Sequence, residues 1–233
     1  MISSRDNEKL KLVRKLHERR WRDKLGLFFV EGEDLVDAAR AAGYEPAELL
    51  VAGETIEPAL LAEVSTLAHP PRVIGVFAKQ DGARHVEDAP TLALWRVADP
   101  GNVGTLLRSA DAFGAGVALS VGCADPFGPK ALRAAMGSTF RVPLVEFAPG
   151  AGSVALVPHD APPLHELELR RATTFVLGAE REGLPEEVLA RCDRWATIVQ
   201  RGGAESLNVA MAGTIALYEL ARRATNTVSS PPS

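Results

Sequence analysis

The sequence predicts an α/β protein: a small α/β unit, then a larger domain built on a mostly parallel sheet covered on both faces. Three observations predict it. Short apolar runs of strand length alternate with helical stretches along almost the whole chain. A polar segment, KQDGARHVEDAP (Lys79–Pro90), interrupts that alternation once. The 233 residues are 46% hydrophobic, enough for a sizeable core.

Taken in order, Leu10, Val13, Leu16 and Trp21 give a helical period from about residue 6 to 24, closed by Gly26. Leu27–Val30 reads as a strand, and Glu33–Ala42 as a helix ended by Gly43. Glu48–Val51 is a strand, Pro58–Ala68 a helix and Arg72–Ala78 a strand. These make one unit over 1–80, with a linker at 81–90. The second domain, 91–225, carries strands at Leu92–Ala98, Val117–Val121, Val154–Val157, Thr174–Leu177 and Ala196–Val199. Helical stretches separate them at about 103–113, 129–136, 185–191 and 206–222. The Ser/Pro-rich tail, 226–233, reads as disordered.

Composition narrows the function. No apolar run reaches the roughly 18–20 residues that cross a bilayer, so no membrane association is expected. The N-terminus is charged with no apolar segment behind it, which argues against a secretory signal. Two separated cysteines, Cys123 and Cys192, fit a reducing cytoplasmic location without disulfides. The five histidines lack metal-ligand spacing, so no metal is expected. Residues 1–24 hold nine Lys/Arg against four acids, a net of +5, leaving −9 on the rest of a chain whose total is −4. A basic N-terminal segment on an acidic body suits contact with a polyanion. Arg5, Lys9, Lys11, Arg14, Lys15, Arg19, Arg20 and Arg22 are the candidate polyanion-contacting residues there.

Three turns after strands carry the chemistry. In DPGNVGTLLRSADAFG (Asp99–Gly114), Asn102 enters a helix whose amides favour anions, and Arg108 follows about one turn after Gly104. In LGAEREGLP (Leu177–Pro185), Gly178 and Gly183 let backbone approach a planar ligand, with Glu180 and Glu182 beside them. In ESLNVA (Glu205–Ala210), Ser206 or Asn208 is placed to cap the last helix. No G-x-G-x-x-G follows a strand, and GCADPFGPK (Gly122–Lys130) has neither the P-loop spacing nor its Ser/Thr. In open α/β sheets, ligands collect beyond the carboxyl ends of strands, where all three turns lie.

Together and in this order the turns resemble the SpoU (TrmH) family of RNA 2′-O-ribose methyltransferases. The matching residues are Asn102–Arg108, Gly178–Leu184 and Ser206–Val209, supported by KALRAAMGSTFRVPL at Lys130–Leu144. FFVEGEDLVDAA (Phe28–Ala39) resembles the ribosomal-protein-like substrate-binding domain that precedes many such catalytic domains. The resemblance implies a SPOUT α/β domain with a deep trefoil knot. It further implies S-adenosylmethionine as cofactor, a homodimer through the knotted domain, and RNA as substrate, ribosomal RNA ahead of transfer RNA. Asn102, Arg108, Glu180, Ser206 and Asn208 become the expected catalytic set. Leu177, Gly178, Glu180, Gly183, Ile198, Leu207 and Asn208 become the expected cofactor wall, and Arg108 also contacts RNA. A non-enzymatic RNA-binding or ribosome-assembly role and a base-directed methyltransferase are the rival readings. One departure stands out: where the family has Ile-Pro-Met or similar, this chain has Ile198-Val199-Gln200-Arg201.

Overall fold

The computed structural model describes residues 1–80, 88–202 and 205–227. They form two compact units, Met1–Gly82 with Asp125–Arg141, and Ala83–Ala124 with Val142–Ser233. Most of the 81–90 linker and of the 226–233 tail lies outside the described residues. Asp125–Arg141, read from sequence as part of the second domain, packs with the first unit.

The first unit is a three-stranded antiparallel sheet, order β1-β3-β2, from β1 (Leu27–Glu31), β2 (Pro46–Val51) and β3 (Val73–Ala78). Side chains alternate across it, as a two-residue period requires. Phe29, Leu50, Ile74 and Val76 join Leu10, Val13, Leu16 of α1 (Glu8–Leu16) and Leu60, Leu61, Val64 of α4 (Pro58–Val64) in one cluster. Phe28, Val30, Val73 and Phe77 meet Leu35, Val36 and Ala39 of α3 (Glu33–Ala41), together with Leu132 and Phe140, in another. Leu132 and Phe140 explain why Asp125–Arg141, with α6 (Pro129–Ala135), belongs here: they bury the second face of the sheet.

The single helix expected over 6–24 is two, α1 and α2 (Arg19–Leu25), parted by an extended Glu18. Arg22 holds the break. Its Nη1 donates to the Leu16 and His17 carbonyls at 2.7 and 2.9 Å, satisfying acceptors that α1 leaves open at its end.

The second unit is a six-stranded, wholly parallel sheet in the order β6-β5-β4-β8-β7-β9. Its strands are β4 (Thr91–Leu94), β5 (Gly116–Leu119), β6 (Leu144–Val145), β7 (Ser153–Leu156), β8 (Thr174–Leu177) and β9 (Arg194–Ala196). Ala93, Ala118 and Val176 face Val188 of the short helix α7 (Glu186–Leu189). On the opposite side, α5 (Pro100–Phe113) and α8 (Val209–Thr227) pack on each other and on β4, β5 and β8. Two strand readings shift. The last strand is 194–196, so Ile198–Gln200 is loop, and the two-residue β6 has too short an apolar run to be seen in sequence. Among the described residues, no helix is long and apolar enough to cross a membrane.

Candidate active site

Parallel pairing brings two of the turns together. Leu94 and Leu177 are register partners at the carboxyl ends of β4 and β8, so the turns that follow leave the sheet side by side. The third turn arrives through α8. A Cβ on Gly213 would sit 2.4 Å from Leu106 Cδ2, so glycine permits the close approach of α8 to α5. Ser109 Oγ and Thr214 Oγ1, 2.6 Å apart, join the two helices further.

Capping then leaves the right side chains free. Asp99 caps α5, its Oδ1 accepting from the Asn102 amide at 3.0 Å, so the Asn102 carboxamide is not used as a cap. Asn208 does cap α8: its Oδ1 accepts from the Ala210 and Met211 amides at 2.9 and 3.3 Å. Its Nδ2 remains available and donates to Asn102 Oδ1 at 3.1 Å. Asn102 Nδ2 in turn donates to Glu180 Oε1 at 2.9 Å. The three motifs therefore meet in one directional chain, Asn208 to Asn102 to Glu180.

The turn after β8 closes on itself. The Gly183 amide donates to the Ala179 carbonyl at 2.9 Å, with Gly183 in the left-handed region at φ +66°. A Cβ on Gly178 would lie 2.2 Å from the Gly183 carbonyl carbon, so the two backbone segments touch where a side chain would stand.

Beside this chain lies a cavity of about 620 Å³, within the usual range for a small-molecule site. Leu177, Gly178, Glu180, Gly183, Ile198, Ser206, Leu207 and Asn208 all line it, which brings the whole expected cofactor wall together with Ser206. Asn102 and Arg108 are not in its wall; Asn102 reaches it through its two partners. Arg108 is exposed on α5 and forms no hydrogen bond or ion pair among the described residues. Sequence reasoning missed His159 and Gln200, which also line the cavity. A second cavity of about 300 Å³ shares the Pro158, His159, Thr197, Ile198, Gln200 and Glu205 wall. Gln200 Oε1 is buried with no hydrogen-bond partner among the described residues. Among those residues no group of His, Cys, Asp and Glu could hold a metal ion. Burial and the adjacent Asp193 push the Cys192 thiol up to about 11, away from nucleophilic chemistry.

In the N-terminal unit the basic set divides. Arg22 is a correction: it is 4% exposed and its Nε donates to Asp125 at 2.7 Å, so it is structural and unavailable to RNA. Arg5, Lys9, Lys11, Arg14, Arg19 and Arg20 each pair with an acid of the same unit. Lys15, Arg20 and Lys24 stand 5.1–5.6 Å from the ring centre of Trp21. Counting charges could not reveal this basic cluster around an aromatic ring.

Known proteins resemble this chain along nearly its whole length. Residues 89–218 match the SpoU rRNA Methylase family, and residues 7–80 match the MRM3-like substrate binding domain. The chain is 32% identical to the 23S rRNA (guanosine(2553)-2'-O)-methyltransferase RlmP of Bacillus subtilis, over 94% of this chain and 98% of that protein. An AdoMet-bound rRNA methyltransferase from Sinorhizobium meliloti superposes with a TM-score of 0.86 at 29% identity, covering 95% of this chain and 97% of that one. The SpoU methyltransferase AviRb from Streptomyces viridochromogenes, in complex with AdoMet, gives 0.84 at 27% identity, over 97% and 100%.

Proposed function

This chain belongs to the SpoU rRNA methylase family, and on that premise we propose that it methylates ribose 2′-hydroxyls of RNA, ribosomal RNA first, using S-adenosylmethionine. The observation that carries the reading is the Asn208–Asn102–Glu180 chain set against the cavity. It joins side chains from three turns that the β4–β8 register and the packing of α8 on α5 bring to one place.

The residues fit the cofactor. The cavity has the volume, the Gly178–Gly183 contact leaves backbone where a side chain would intrude, and a buried acceptor on Gln200 has no donor among the described residues. When bound, S-adenosylmethionine supplies an electrophilic methyl group on a sulfonium. The protein's own part is orientation and charge. The backbone around Leu177, Gly178, Ile198 and Leu207 holds the nucleoside. Asn102 fixes Glu180 and Asn208, and Ser206 offers its hydroxyl to the ribose. Arg108, exposed and uncommitted, clamps an RNA phosphate and stabilises the developing 2′-alkoxide.

The substrate-binding unit contributes the Lys15–Arg20–Trp21–Lys24 cluster, where cations and an aromatic ring suit an RNA strand. The working form is a homodimer in the cytoplasm. Met211, Ile215 and Tyr218 leave an apolar stripe exposed along α8, at spacings that put them on one helix face and suit a second copy.

Arg108→Ala tests the assignment. The variant should lose transfer of labelled methyl to unmodified ribosomal RNA while still binding S-adenosylhomocysteine in calorimetry. Full transfer activity would refute Arg108's role. Methyl groups mapped to bases would refute ribose specificity.

A further inference from the structure

At Ile198-Val199-Gln200-Arg201 the structure buries a polar atom, Gln200 Oε1, that has no hydrogen-bond partner among the described residues. Buried side-chain acceptors are nearly always satisfied, so an orphan in a cavity wall points to a ligand donor. The backbone permits the arrangement because this stretch is loop: β9 ends at Ala196, and Thr197 makes only an isolated bridge to Pro163.

We infer that Gln200 is a cofactor-recognition residue whose Oε1 accepts a hydrogen bond from the exocyclic amine of the S-adenosylmethionine base. This rests on the reading of the larger cavity as the cofactor site. The donors on that cofactor are the α-ammonium, the two ribose hydroxyls and the base amine; Ser206, which lines the larger cavity and not the smaller, is the hydroxyl partner for the ribose. The ammonium is charged and suits the carboxylates of Glu180 and Glu182 on the turn after β8. Gln200 is neutral and sits in the wall shared with the smaller cavity, beside Ile198, Thr197 and Pro158. None of Gly178–Leu184 or Ser206–Val209 lines that smaller cavity, so Gln200 stands on the side away from the asparagine–glutamate chain. A neutral acceptor away from the reacting end, in a wall where Ile198 and Pro158 stand with Thr197, His159 and Glu205, matches the amine of a planar base.

Calorimetry on the full chain tests this with two ligands: S-adenosylhomocysteine and its analogue with hydrogen in place of the 6-amino group. Wild type should bind the amino ligand about tenfold more tightly, the size of one good hydrogen bond. Gln200→Leu should bind both ligands alike, at about the wild-type affinity for the analogue. Its unliganded melting temperature should equal or exceed wild type, because it removes an unpaired buried polar group, and that measurement also certifies folding. Equal affinities in wild type, or a preference that survives in Gln200→Leu, would overturn the role of Gln200 and leave the methyltransferase reading standing. Wild type that binds neither ligand would overturn that reading as well.

Discussion

The turn after β8 and the loop after β9 enclose one cavity by opposite means. The first is complete without a ligand. Its backbone is cross-bonded from Gly183 to Ala179, Gly178 and Gly183 touch, and Asn102 holds Glu180. The second is unfinished: Ile198–Gln200 belongs to no strand, and Gln200 Oε1 is buried with no partner among the described residues. Backbone contacts within a turn fix one geometry without help, whereas a loop outside the sheet leaves its polar side chains dependent on what else enters the cavity.

The largest effect should follow from breaking the finished wall. Gly178→Ala puts a methyl group onto the Gly183 backbone, which has no flexible side chain to yield. We expect a stability loss of about 1–3 kcal/mol by thermal unfolding, and at least a tenfold loss in S-adenosylhomocysteine affinity. A variant that binds like wild type would mean that the turn opens freely and is not preformed.

Asn208 separates two functions at the junction of the walls. Asn208→Ala removes the cap of α8 and should cost about 1 kcal/mol, along with most methyl transfer. Asn208→Asp keeps an acceptor for the Ala210 and Met211 amides but loses the donor to Asn102. It should therefore recover stability in denaturant titrations and remain defective in transfer. Equal activity of the Asp variant and wild type would remove the chain from the mechanism.

The smallest effect tests how the far end of α8 is anchored. The Arg222 and Arg223 guanidinium groups hold the Glu219 carboxyl below its usual range, and Arg223 Nη2 also donates to the Leu164 carbonyl at 3.0 Å. A carboxylate depressed in the folded state stabilises above its unfolded pKa, about 4.3, and loses that contribution as pH falls through the folded value. Glu219→Gln should be less stable than wild type at pH 7 by under about 1 kcal/mol. The difference should shrink progressively below pH 4. A pH-independent difference would assign the effect to packing.

Much of the site was legible because it is local chemistry. Asn102, Glu180 and Asn208 sit in turns whose glycines and caps declare themselves over a few residues. Their family pattern led to the fold, the cofactor and the chain's own family. Arg22 was misread because net charge is a property of a segment, whereas burial depends on a partner 103 residues away, Asp125. The helix over 6–24 was read as one because its apolar spacing runs through the break that Arg22 bridges. Residues 129–136 were seen as helical, but not that Leu132 and its neighbours would cover the sheet of the first unit.

The sequence alone determined the alternation of strands and helices, the two unit types, and the polar residues placed at strand ends. Those follow from periodicity and turn chemistry, which act over a few residues. Only the tertiary structure decided that Asn208, Asn102 and Glu180 bond in one direction, that Arg22 is buried while Arg108 is exposed, and that Gln200 hides an acceptor unmatched among the described residues. Each depends on distances between segments remote along the chain, set by strand register and by the close packing of α5 against α8 at Gly213.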